Sequence, residues 1–255
     1  MRMRDLLIRG MVAGVVASLL ASAFAFVAGE PAIERAIAFE TRAEASAHAR
    51  EHAVDVHAAA AHPTEAGPEA AEPVSRGVQR TAGLVTGMLA LGVAFGGVFS
   101  VVFASARGRL GAIGDRGTAL LVALLTFAAL YLLPFLKYPA NPPAAGLSDT
   151  ISARTTAYVG MLLVSALLTV GALVLYRALA ASRPAWDAAL LAALAFLVAL
   201  ALAASAMPAV DEVPEGFPAD VLWQFRIASI GTQLVLWSGI GLVFGALTDR
   251  AARRA

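Results

Sequence analysis

The chain has 255 residues, of which 59% are hydrophobic and only 15% charged, and its formal net charge at pH 7 is +1. That balance is too apolar for an ordinary soluble domain. There is no cysteine, which excludes disulfides, thiolate metal sites and cysteine nucleophiles.

A helix rising about 1.5 Å per residue needs about 20 apolar residues to cross a hydrocarbon core of about 30 Å. Six segments reach that length, 10–28, 81–105, 117–136, 155–176, 188–207 and 227–248, and none contains Asp, Glu, Lys, Arg or His. The sequence therefore predicts an all-α fold, a polytopic membrane helical bundle with six spans forming a single membrane domain over 1–255. Arg2, Arg4 and Arg9 before the first segment give it the look of a signal peptide. Its apolar run is longer than a usual signal core, so a retained span is expected.

Between the first two spans lies a long loop, 29–80. Its stretch from Pro31 to Ala61 is rich in Ala, Glu and Arg, with Pro31 suited to a first helical turn and Pro63 just past the end. An extra helix over 31–61 is predicted. At about 100° per residue, Glu44, Glu51, His52, Asp55 and His62 fall within about 60° of His48, whereas His57 points the opposite way. Neutral imidazole and carboxylate both bind divalent cations, and histidines at i and i+4 can converge on one ion. Glu44, His48, Glu51, His52, Asp55 and His62 are thus a candidate metal-capture face, with the solvated polar side of a surface helix as the alternative. His48-Ala-Arg-Glu51-His52 also matches the H-x-x-E-H of inverted zinc proteases, but that chemistry needs a third ligand and a surrounding catalytic domain that this loop is too short to supply. No P-loop, dinucleotide fingerprint or nucleic-acid motif accompanies it. The chain is not expected to be an enzyme, to hold a permanent cofactor or to bind nucleic acid, and any ATPase would be a separate chain.

The spans carry G-x-x-x-G pairs at Gly10/Gly14, Gly83/Gly87, Gly92/Gly96 and Gly241/Gly245, a spacing that lets helices approach closely in lipid. Without intramembrane charge they lack the groups that proton relays use. Gln233, the most polar side chain of the last span, is expected to bond a neighbouring helix.

After the third span, Leu133-Pro-Phe-Leu-Lys-Tyr-Pro-Ala-Asn-Pro-Pro143 reads as a stiff connector, because Pro139, Pro142 and Pro143 fix dihedrals and remove donors. Backbone carbonyls left free there could face a cation. The other reading is a rigid connector with Lys137 snorkelling to the interface. The loop 207–218 adds Asp211, Glu212 and Glu215, which serve equally well as oxygen ligands or as ordinary acidic turn residues.

Charge sets an expected orientation. Arg2, Arg4, Arg9, Arg107, Arg109, Arg116, Arg177, Arg183, Arg250, Arg253 and Arg254 lie at the termini and in the second and fourth loops, against only Asp5, Asp115, Asp187 and Asp249. By the positive-inside pattern both termini are cytoplasmic, and the histidine-bearing loop is external.

Several loop segments carry a family resemblance: Gly29-Glu-Pro31, Ala36-Ile-Ala-Phe-Glu40, Val74-Ser-Arg-Gly-Val-Gln79, Phe135-Leu-Lys-Tyr-Pro-Ala-Asn-Pro-Pro143, Arg154-Thr-Thr-Ala-Tyr158, Asp211-Glu-Val-Pro-Glu-Gly-Phe-Pro218 and Gly231-Thr-Gln-Leu-Val-Leu-Trp237. In this order, over nearly the whole chain, they resemble the CbtA family of predicted cobalt transporter subunits. The resemblance implies cobalt uptake across a bacterial inner membrane, a link to cobalamin, and a small histidine-bearing partner with one span, CbtB. Lys137, Tyr138, Asn141, Asp211, Glu212 and Phe217 belong to its most distinctive segments, whereas the histidines rest on helix geometry alone. The expected function is a membrane subunit that captures cobalt or another divalent ion outside and passes it between helices. The alternative is a non-conducting scaffold or metal-binding accessory of another transport component.

Overall fold

The computed structural model describes residues 2–55, 75–109, 113–143, 145–146, 150–210 and 212–254, with the side chains of 51–55 left aside. Six of its helices are long and apolar enough to cross a membrane, and no strand occurs among the described residues. In chain order the helices are α1 (Met3–Ala28), α2 (Glu30–Asp55), α3 (Arg76–Ala106), α4 (Asp115–Lys137), α5 (Ile151–Ala180), α6 (Ala185–Ala206) and α7 (Ala219–Ala252). The all-α membrane bundle expected from the sequence is thus present, with α2 as the extra helix that does not qualify as a span.

Helix α1 is the spine, packed against α3 on one side and α7 on another, and α7 also packs against α4. Small residues make the first contact possible. A Cβ built on Gly10 or Gly14 would run into the backbone carbonyls of Gly96 or Gly92, and the reverse holds for Gly96 and Gly92, so the two G-x-x-x-G pairs form one reciprocal backbone crossing. Gly241 and Gly245 bring α7 close to α4, since a Cβ would lie 2.8 Å from Ala123 Cβ at the first and 3.3 Å from Ala119 Cβ and Arg116 Cα at the second. Gly83/Gly87 departs from expectation: a Cβ on Gly87 would meet nothing within 4 Å, so this pair makes no helix crossing among the described residues. Its first glycine lies in a π-helical turn, Gln79–Gly83, at the start of α3.

Between the small-residue contacts, aromatic rings fill the bundle. Phe99 and Phe103 of α3 meet Phe244 of α7 edge to face, with centroids 5.2 and 4.8 Å apart, and Phe95 stacks on Trp237 at 5.3 Å. Helices α5 and α6 form a hairpin beside this core, and apolar side chains such as Leu167, Val174, Leu194 and Leu202 stay exposed along it. In a membrane protein that surface meets lipid. The hairpin attaches through α4, where a π-helical turn spans Ala128–Leu132 just before Pro134. Pro134 has no N–H to donate and its ring crowds the preceding turn, so the helix widens there. Ser165 of α5 donates to the Ala129 carbonyl in that turn, which satisfies a buried backbone group from a neighbouring helix.

The two ends of the bundle differ. At one end α2 lies over α1 and α7, and the connectors after α4 and α6 converge. At the other, Arg107 pairs with Asp115 at 2.6 Å, and Asp249 bridges Arg116 at 2.9 Å and Arg253 at 3.2 Å.

Candidate functional site: a polar vestibule at the α2 end

The vestibule begins with the proline connector. Helix α4 stops at Lys137, and the Tyr138 phenol donates to the Pro208 carbonyl at 2.8 Å, tying the connector after α4 to the one after α6. Burial pushes the Tyr138 phenol above its ordinary value, so it stays a neutral donor at physiological pH. The Lys137 ammonium lies over the Tyr138 ring, 5.7 Å from its centroid.

The loop after α6 is shaped by three residues in a row. Gly216 has φ of 79°, in the left-handed region that glycine adopts without a Cβ penalty. The turn it permits is closed by Phe217 N–H donating to the Pro214 carbonyl at 3.1 Å, and Pro218 then precedes α7. The turn aims Phe217 into a small core with Ala32, Ala36, Ala145 and Val221, where it meets Phe39 of α2 edge to face at 5.2 Å. Phe217 therefore fastens α2 to the bundle.

Glu212 is buried and receives Arg154 of α5 at 2.7 Å on Oε2, while its Oε1 has no hydrogen-bond partner among the described residues. A Cβ on Gly146 would lie 2.6 Å from Arg154 Nη1, so a larger residue there would push the guanidinium aside. Across the vestibule, Arg226 of α7 donates to Asn141 Oδ1 at 2.9 Å and to the Ala140 carbonyl at 3.4 Å. These groups surround a cavity of about 380 Å³ whose wall also includes Tyr131, Phe135, Thr155, Tyr158 and Phe225. A second cavity of about 250 Å³ shares Tyr131, Ala140 and Phe225 with it and continues between α1 and α7 past Ser229 to Gln233. Gln233 thus lines a cavity and, contrary to expectation, makes no hydrogen bond to a neighbouring helix among the described residues.

Three segments far apart in the chain, 135–143, 154–158 and 212–213, meet in this one cavity together with Arg226. Tyr138, Asn141 and Glu212 are in its wall, Phe217 anchors the helix above it, and Lys137 stands outside. Asp211 lies outside the described residues. Arg226 and Tyr131 belong to none of the loop segments that stand out in the sequence. The one available signal was that Arg226 stands at the lip of the last apolar run, where a charge must find a partner.

The other candidate face lies on α2. Glu44 and His48 are exposed, Glu51, His52 and Asp55 belong to the same helix, and His57 and His62 lie outside the described residues. Among the described residues no three His, Asp or Glu side chains come together as a metal cluster. The acids nearer the bundle are instead paired with arginines, Glu30 with Arg76 at 2.6 Å, Glu34 with Arg80 at 2.5 Å and Asp220 with Arg35 at 3.1 Å.

Six membrane-length helices, no strand among the described residues and a polar vestibule at one end define a polytopic helical membrane protein. Residues 3–249 match the family model described as "Probable cobalt transporter subunit (CbtA)". The chain belongs to the CbtA family and is a probable cobalt transporter subunit of the membrane. Comparison with curated proteins and with solved structures finds no match in either.

Proposed function

We propose that this chain is the membrane subunit of a cobalt uptake system in the bacterial inner membrane, with both termini cytoplasmic and the α2 end external. The observation that carries the reading is the convergence of separated family segments on one vestibule at the mouth of the bundle. The α2 face bearing Glu44, His48, Glu51, His52, Asp55 and His62 concentrates the divalent ion. The vestibule then leads it toward the cavity between α1 and α7. Below that cavity the aromatic core around Phe99, Phe244 and Trp237 fills the bundle, so passage requires helix movement or a partner. The small histidine-bearing protein CbtB would be that partner.

A second reading follows from the same core. The six apolar segments carry no Asp, Glu, Lys, Arg or His, and ion-coupled transporters commonly place such groups within the membrane. On this reading the chain is a non-conducting scaffold or metal-binding accessory. Cobalt flux into proteoliposomes, with this chain alone and then with the one-span partner, separates the two, with nickel and zinc as competitors. Uptake in either preparation supports the transport reading. No uptake in either, with the protein shown to be folded, leaves the scaffold.

A further inference from the structure

We propose that the vestibule cavity is a binding site for an oxyanion that carries a neighbouring hydroxyl, a hydroxycarboxylate or glycerophosphate group, with Arg226 as its cationic anchor. A guanidinium offers five N–H donors in a planar fork that matches carboxylate and phosphate oxygens. Arg226 donates to two neutral acceptors, the Ala140 carbonyl and the Asn141 side chain, and meets no carboxylate among the described residues. The arginines that join helices at this end behave differently, because Arg35, Arg76, Arg80 and Arg154 each contact an acid.

Charge balance gives the sign of the ligand. Among the described wall residues Arg154 and Glu212 cancel, and Arg226 leaves one positive charge in excess. Two further polar atoms face a ligand: Tyr131 Oη is buried beside the Ser229 hydroxyl, and Glu212 Oε1 is buried without a hydrogen-bond partner among the described residues, at a cost that a bound hydroxyl would relieve. The volume of about 380 Å³ suits a molecule of the size of a tricarboxylate or a lipid headgroup. The inference goes beyond the transport reading and does not depend on metal flux.

The test uses the full chain in nanodiscs. Citrate and inorganic phosphate are titrated calorimetrically into discs of phosphatidylcholine alone, and native mass spectrometry reads retained lipid from discs that also contain phosphatidylglycerol. Saturable one-to-one citrate binding supports the site with a soluble ligand, and one retained phosphatidylglycerol supports it with a lipid. In either case Arg226→Gln should weaken binding roughly tenfold or more, Arg226→Lys less, and Arg183→Gln at the opposite end not at all. Glu212→Gln keeps an acceptor and removes a negative charge, so it should bind at least as tightly. If Arg226→Gln does not fold, Tyr131→Phe carries the test, with an expected loss of roughly threefold or more for one hydrogen bond. The absence of binding to all three probes by the folded wild-type protein, or binding unchanged in a folded Arg226→Gln or Tyr131→Phe variant, overturns the proposal.

Discussion

Replacing Gly96 by alanine tests the backbone crossing of α1 and α3, and its neighbour Gly97 supplies the control. A Cβ on Gly96 would overlap the Gly10 carbonyl oxygen and sit 2.7 Å from the Gly10 carbonyl carbon and 3.2 Å from the Met11 nitrogen. These are backbone atoms that no rotamer change can move aside, and ordinary carbon contacts begin near 3.4 Å. The two helices must therefore part by about an ångström, which loosens the packing around Phe99 and Ser100. Overpacking of this kind costs about 1–3 kcal/mol, and the loss of close dispersion contacts acts in the same direction. At Gly97 a Cβ meets nothing within 4 Å, so alanine there only gains helix propensity, up to about 1 kcal/mol. Thermal unfolding in detergent, followed by circular dichroism, should show Gly96→Ala melting lower and Gly97→Ala at or above wild type. Equal melting of the two variants would refute the crossing.

The remaining predictions concern the α2 end. Arg154→Met leaves the buried Glu212 carboxylate without its cation; breaking a fully buried pair costs about 3–5 kcal/mol, and since Arg154 is 35% exposed about 1–3 kcal/mol is expected. In a double-mutant cycle with Glu212→Gln the pair should lose less than the sum of the singles, and strict additivity would mean that the two do not interact. For Tyr138 the raised folded pKa means that its contribution is complete below the ordinary value of 10.0 and fades as pH rises through the folded value. Wild type should therefore lose stability relative to Tyr138→Phe only in alkaline solution, and a difference that stays constant from neutral pH into that range would contradict the buried donor. Finally, replacing Glu44, His48, Glu51 and His52 together should weaken cobalt binding to the purified protein about tenfold or more if they supply ligands. Unchanged affinity removes α2 from the capture mechanism.

The spans, the α2 helix and the Gly10/Gly14 and Gly92/Gly96 pairs could be read from the sequence because lipid imposes a local rule. Each spanning segment must satisfy its own backbone and be apolar over a fixed length, and small residues must stand at fixed helical spacing. Gly83/Gly87 shows where such a rule stops, since spacing says that an approach is possible and not that a helix is there to make it. The same holds for the histidine face of α2, where the period places side chains on one side without saying what surrounds them.

What only the tertiary structure decided is the vestibule. Nothing local in Glu212 indicates that Arg154 lies 2.7 Å away, 58 positions earlier in the chain, or that Arg226 meets Asn141 across 85 positions. Those distances result from the order in which α4, α5 and α7 pack, and that order depends on the summed fit of many side chains. The sequence by itself determined that this chain lives in a membrane, how often it crosses and which segments are distinctive. The packing of the helices decided that Tyr138, Asn141 and Glu212 share a cavity and that Phe217 is an anchor above it. It also left one arginine, Arg226, facing that cavity without an acid among the described residues.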